Sequence, residues 1–298
     1  MLTSRPSYFI HDIDEIRSIE DSDYYFKYFL TKNTRWNERQ RFAFNGQHLL
    51  PPLSPSTNPP PDAVTKIIHA RLEAACLAKL ILPLGTPTTD PHVPVFVSSD
   101  FANKSRVVVL FGEPSQALGV LAHRIIGGRG GITRGSVLGF VNALSEQQSS
   151  ATDSNPPAVI LANAGELWWW PEGGKGLTPI ERHMVPMASA VHYGRYHDPR
   201  MNEVPGHRSV RGHVREVFES VVMGVLVGKE ARVDVIALGS TADEVEAYLD
   251  DDEVWPKVGP RLNCLTILGG CYSSSMLRCE GFKRFMEEVC PDTLLHSH

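Results

Sequence analysis

The stretch RVDVIALGSTADEVEAYL, Arg232 to Leu249, joins two patterns across a turn of three small residues. Val233 to Leu238 is a continuous run of β-branched and small apolar residues, the signature of a strand buried on both faces. Ala242 to Leu249 spaces its apolar residues as a helix does. A strand that feeds a helix through so short a turn belongs to a parallel sheet with crossover helices. The turn itself, Gly239-Ser240-Thr241, carries a serine, and a serine on a sharp strand-to-helix turn is where one class of hydrolases holds its nucleophile. Fold and candidate chemistry therefore meet at this turn.

The same alternation extends in both directions from it. Strands are expected at Val93 to Val97, Arg106 to Phe111, Ala158 to Asn163 and Leu262 to Leu268. Helices are expected at Ala63 to Leu82, Ser115 to Ile126, Gly135 to Leu144, Val210 to Val227 and Ser275 to Val289. The pattern predicts an α/β fold with a doubly wound, mostly parallel sheet flanked by helices. PPLSPSTNPPPD, Pro51 to Asp62, interrupts it, because proline lacks an amide donor and restricts the residue before it. Residues 1–62 read as an aromatic segment and a proline-rich loop packed on a main domain of residues 63–298. Residues 171–209 read as a long insertion rich in proline, glycine and histidine, of the kind that is usually either a functional lid or poorly ordered.

Composition narrows the function. The chain has 298 residues, 42% hydrophobic and 21% charged, with a formal net charge of -5. No overall basic field draws it to nucleic acid or to an anionic membrane surface. No apolar run approaches a membrane span, and MLTSRPSYFIHDIDEIRS has acidic residues where a signal peptide would be apolar, so an intracellular protein is expected. Five cysteines, Cys76, Cys264, Cys271, Cys279 and Cys290, include no CxxC pair, which points to reduced thiols and neither a disulfide framework nor a zinc site.

The elbow of an α/β-hydrolase needs small residues on both sides of its nucleophile so that the backbone can bend. In ALGST, Ala237 to Thr241, the frame that satisfies this is centred on Gly239, because a frame centred on Ser240 sets the bulky Leu238 at a small position. Glycine has no side chain to attack with. The triad order in this fold is serine, acid, histidine, and after Ser240 the histidines are His296 and His298, with Asp292 as an acid. His213, at the start of a core helix, is the other candidate base. The oxyanion position after the strand that ends at Phe111 reads Phe111-Gly112-Glu113-Pro114; Pro114 has no N–H to donate, and Glu113 sets a carboxylate where negative charge would develop.

Other motifs are weaker. GGRGGITRGS, Gly127 to Ser136, lacks the Walker lysine and a preceding strand, and reads as a turn between helices. His183, His192, His197, His207 and His213 have no HExxH or i, i+4 spacing, so no metal site and no cofactor is expected. Trp168, Trp169 and Trp170 form an aromatic cluster that is either a partner anchor or core with one or two idle exposed rings, at least one of the three belonging to the core. DDDEV, Asp250 to Val254, reads as a solvated helix end.

The order of YYFKYFLTKNTRWNERQ, VPVFVSSDFANKSRVVVLFGEPS, GITRGSVLGFVNAL, AVILANAGE, HVREVFESVV and VDVIALGSTA resembles the Argonaute-binding-protein-two domain family. This α/β-hydrolase-like domain occurs in a subunit of the fission-yeast Argonaute small-RNA chaperone complex, in the C-terminal part of fungal class II histone deacetylases, and in animal co-transcriptional regulators. The resemblance covers residues 20–291. Where members with an intact elbow carry a V-A-H-S-Y-G-G type of sequence, this chain places Gly239 at the serine. A histidine-glycine after the first core strand is replaced by Phe111-Gly112, and the family's acid and histidine fall near Cys271 to Ser275, CYSSS, where neither occurs. The resemblance implies a non-catalytic interaction module with protein partners, in an Argonaute or histone deacetylase assembly of the nucleus or cytoplasm, serving RNA silencing and heterochromatin. It implies no direct nucleic-acid or membrane contact. The alternative is a serine esterase or amidase using Ser240.

Overall fold

The computed structural model describes residues 8–10, 14–18, 61–128, 130–185, 197–224, 226–270 and 276–289. The chain divides into two compact units, Met1–Arg71 with Gly119–Phe140, and Leu72–Leu118 with Val141–His298.

In the first unit a short antiparallel pair, β1 (Tyr8–Ile10) and β2 (Ile16–Ser18), precedes helix α1 (Pro61–Ala74). Asp14 ties this unit together. Its carboxylate accepts from Arg71 at 2.5 Å and from the Thr133 amide at 2.6 Å. Burial works against that charge, but the Thr133 amide and the Arg71 guanidinium outweigh it and hold the carboxyl below its usual range. The run GGRGGITRGS contributes a short helix, Gly131–Gly135.

The second unit is built on a six-stranded sheet. Its strands are β3 (Leu77–Leu82), β4 (Val93–Ser98), β5 (Arg106–Phe111), β6 (Ala158–Ala162), β9 (Arg232–Leu238) and β10 (Leu262–Leu268), in the spatial order β3-β4-β6-β5-β9-β10. β6, β5, β9 and β10 run parallel, and β4 is antiparallel to both of its neighbours. A separate hairpin pairs β7 (Trp168–Trp170) with β8 (Lys175–Leu177). The fold is α/β, as the alternation predicts.

One face of the sheet presents Val107, Val109, Phe111, Ile160, Val235 and Ala237. It is covered by α3 (Val210–Glu216) and the π-helical turn that follows it, by α4 (Ser240–Leu249) and by α5 (Glu280–Val289). Phe218 lies at the centre, its ring 5.6 Å from Phe111 and 4.9 Å from Tyr248. On the other face Val108, Leu110, Val159 and Leu161 are also buried. Burial on both faces is why these strands read as unbroken apolar runs.

Several expected elements differ. The helix expected over Ala63 to Leu82 ends at Ala74, and Cys76, at φ 63°, turns the chain into the edge strand β3. LAKLIL is short and carries a lysine, as edge strands do, so its apolar spacing passes for helix. Of the helix expected over Ser115 to Ile126 only His123–Ile126 forms, because Val120 bridges to Ser136 in an extended pairing. The helix expected from Gly135 is shortened to α2 (Leu138–Ser145). Val210 to Val227 is helical only as far as Val222, its last six residues in a π turn. Asp250 is not merely solvated: its carboxylate accepts the amides of Arg278 and Cys279, which lead into α5, so this helix starts at Glu280 rather than Ser275. Cys76 is exposed, Cys264 half-buried and Cys279 buried; Cys271 and Cys290 lie outside the described residues, as do Asp23 to Phe44 and residues 51–60 of the proline-rich loop.

Candidate functional site

In a parallel sheet the loops at the carboxyl ends of the strands converge, and ligand sites form there. The loops after β5, β6 and β9 lie at that edge, with Gly269, just after β10, beside Gly239. β9 ends at Leu238, and Gly239 follows at φ 57°, ψ -138°, before α4 begins at Ser240. This backbone conformation is open to glycine at little cost and strained by about 1–3 kcal/mol for other residues. The Gly239 amide donates to the Leu268 carbonyl at 2.7 Å, which fixes the elbow against the end of β10. Gly239, not Ser240, is thus the positive-φ residue of the turn between β9 and α4. Ser240 is the exposed first residue of the helix.

The space that a side chain on Gly239 would take is filled from another loop. A Cβ built on Gly239 would lie 1.4 Å from Oε1 of Glu113 and 2.1 Å from its carboxyl carbon. Glu113 follows the third strand of the sheet in chain order, the strand whose loop supplies oxyanion donors in α/β-hydrolases. Here that loop presents a carboxylate. Thr241 completes the join: its hydroxyl donates to the Gly112 carbonyl at 2.7 Å, binding the loop after β5 to the first turn of α4.

A second cluster lies at the end of β6. The amide of Asn163 donates to Nε2 of His213 at 3.0 Å, and Nδ1 of His213 lies 2.8 Å from Nδ1 of His207. Both rings are fully buried. Burial holds His207 down to about 4 and His213 well below the usual imidazole range. The Asn163 side chain donates to Oε2 of Glu166 at 2.9 Å, and the same oxygen takes the Leu118 amide at 3.0 Å. Burial pushes the Glu166 carboxyl up to about 7, against the Leu118 and Asn163 donors. Gly165 lets this loop touch the one after β5, since a Cβ there would lie 1.7 Å from the Gln116 carbonyl oxygen.

His213 is thus brought to the carboxyl edge of the sheet, but both of its ring nitrogens are engaged, one by Asn163 and the other by His207. His296, Asp292 and Cys271 to Ser275 lie outside the described residues, as does His192. His183 is exposed, and His197 pairs with Glu203 at 3.1 Å. Among the described residues no three histidine, cysteine or acidic side chains gather as metal ligands.

The tryptophans do not form an exposed cluster. Trp168 and Trp169 are 8% and 3% exposed, and Trp170 is half-buried. Trp169 packs with Val93 and Val204, and its carbonyl accepts from Asn202 at 2.9 Å; Trp168 packs with Leu177 and Val185. Three consecutive tryptophans in a strand send neighbours to opposite faces, and chain on both sides of the hairpin covers them. The exposed apolar residues flanking the hairpin are Ile180 at 54% and Met201 at 51%.

The sequence marks Gly239 and Glu113 as candidates but carries no sign of their contact, nor of the contacts made by Thr241, Asn163, Glu166 and His207. The one signal for the last group is that AVILANAGE ends a strand in asparagine and glutamate, polar residues at a site that the apolar run places in the interior.

No curated protein and no solved structure matches the chain. Residues 7–297 match the family model described as Arb2 domain, and with nearly its whole length covered the chain belongs to the Arb2 domain family.

Proposed function

We propose that this chain is a non-catalytic α/β-hydrolase-like module that binds protein partners, in the small-RNA-directed heterochromatin or histone deacetylase assemblies that its family suggests. The observation that carries the reading is the carboxylate of Glu113 standing where a side chain on Gly239 would be. A hydrolase elbow needs a nucleophile, a base in reach of it and oxyanion donors. Here the first position is glycine, His213 is committed to Asn163 and His207, and the third loop offers a carboxylate.

Labelling with a fluorophosphonate probe tests this beside a Ser240→Ala control. The folded protein is expected to remain unlabelled. Labelling that disappears in the control would mean an activated serine and would favour the esterase reading. The partner surface is assigned to the insertion around the tryptophan hairpin, where Ile180 and Met201 are exposed. The buried Trp168 and Trp169 serve this surface as its support.

A further inference from the structure

The hydrogen-bond arithmetic of the buried histidine pair permits one protonation state. Nε2 of His213 accepts the Asn163 amide, so that nitrogen is bare. A neutral His213 then carries its proton on Nδ1 and donates it to Nδ1 of His207. His207 in turn carries its proton on Nε2, a buried donor with no partner among the described residues. Two protons satisfy the pair. A third must sit either on Nε2 of His213, facing the Asn163 N–H, or on Nδ1 of His207, facing the His213 N–H, and each choice turns a hydrogen bond into two opposed donors.

The pair also joins three parts of the chain. His207 closes the 171–209 insertion in a turn, its amide donating to Val204 at 2.9 Å. His213 lies on α3, and Asn163 opens the loop after β6. We propose that His207 and His213 form an acid-sensitive latch, which fastens the end of the insertion and the first turns of α3 to the loop after β6 while both rings are neutral and releases them when either takes up a proton. Among the described residues the charged groups around the latch are Glu216, one turn on from His213 in α3, and Glu166, joined to it through Asn163. Glu216 favours a charged His207, and burial opposes it more strongly. In the open state each histidine regains an ordinary value of about 6.5, so acidification from pH 7.5 to 5.0 favours opening by on the order of thirtyfold per histidine released.

Hydrogen exchange on the whole chain, with rates corrected for the intrinsic effect of pH, tests the latch. Backbone protection at 163–166 and 204–213 is expected to fall about thirtyfold or more between pH 7.5 and 5.0, while the amides of β5 and β9 keep theirs. In His207→Asn the side-chain oxygen can take the His213 proton but cannot itself be protonated, so the fall is expected to shrink. Equal protection at the two pH values, a fall spread evenly over the sheet, or an unchanged fall in His207→Asn overturns the proposal. If that variant does not fold, ring-nitrogen NMR of the wild-type protein at pH 7.5 decides: His213 protonated on Nδ1 and His207 on Nε2 are expected, and either opposite tautomer or a charged ring overturns it.

Discussion

A side chain on Gly239 has no room while Glu113 holds its place. Gly239→Ser therefore meets two costs: the positive φ, about 1–3 kcal/mol, and the expulsion of the carboxylate, of similar size. Glu113→Ala removes only the second. In a double-mutant cycle followed by chemical denaturation, the serine is expected to cost less in the Glu113→Ala background, with a coupling of about 1–3 kcal/mol. Additive effects would mean that the carboxylate does not occupy the seat. Glu166 carries a second prediction at this scale. Its folded value, raised to about 7, lies above the ordinary 4.5, so its contribution to stability is fully present below about pH 4.5 and is lost as the pH rises through 7. Glu166→Gln, which stays neutral and keeps an acceptor for the Leu118 and Asn163 donors, is expected to be more stable than wild type at pH 8, by about 1–3 kcal/mol, with the difference shrinking toward pH 5. Urea midpoints at the two pH values check this, and a difference independent of pH would rule out the assigned titration. The tight turn at Gly239 was legible in the sequence because a short link of small residues between a strand and a helix is a local property. The seat-filling carboxylate was not, since Gly239 and Glu113 are far apart in the chain and no local pattern reports their distance.

Elements were legible where burial is symmetrical or one-sided over a full length. β5, β6, β9 and β10 are such runs, and α4 follows its strand without a break. β3 and the segment before His123 were misread because edge strands and isolated bridges have no long periodicity of their own. What joins the central strands at their amino ends is also non-local: Arg106 on β5 donates to Asp234 on β9 at 2.6 Å, and Asn263 on β10 reaches the other oxygen at 2.8 Å. Asp234 is 5% exposed. Arg106→Met leaves that buried carboxylate with Asn263 alone among the described side chains and is expected to cost about 3–5 kcal/mol, whereas Arg106→Met with Asp234→Leu recovers most of the loss. Denaturation midpoints separate the two, and equal losses in both variants would show that the pair is not what holds the strands there. The Trp168–Trp170 hairpin makes a similar point. Trp169→Ala empties part of a packed cluster and is expected to cost about 3–5 kcal/mol, so loss of a partner in that variant would report unfolding rather than a contact.

At the scale of the whole molecule, the fold class rests on the buried, mostly parallel sheet, while a partner is read from the surface. The sequence gives no means of telling a buried tryptophan from an exposed one in a run of three, and so could not separate support from contact. An interaction module and an enzyme predict opposite outcomes for two sets of variants. If partners dock on the insertion, Ile180→Glu with Met201→Glu changes two half-exposed side chains, with little effect on the thermal midpoint, and removes co-purification with an Argonaute or histone deacetylase subunit. Glu113→Ala with Gly239→Ser rebuilds the elbow, away from the hairpin in the chain, and is expected to leave that co-purification intact. Both results together place the function on the insertion. Loss of the partner in the elbow variant, with the thermal midpoint kept, would instead place it at the carboxyl edge of the sheet, where a ligand of an intact hydrolase would lie.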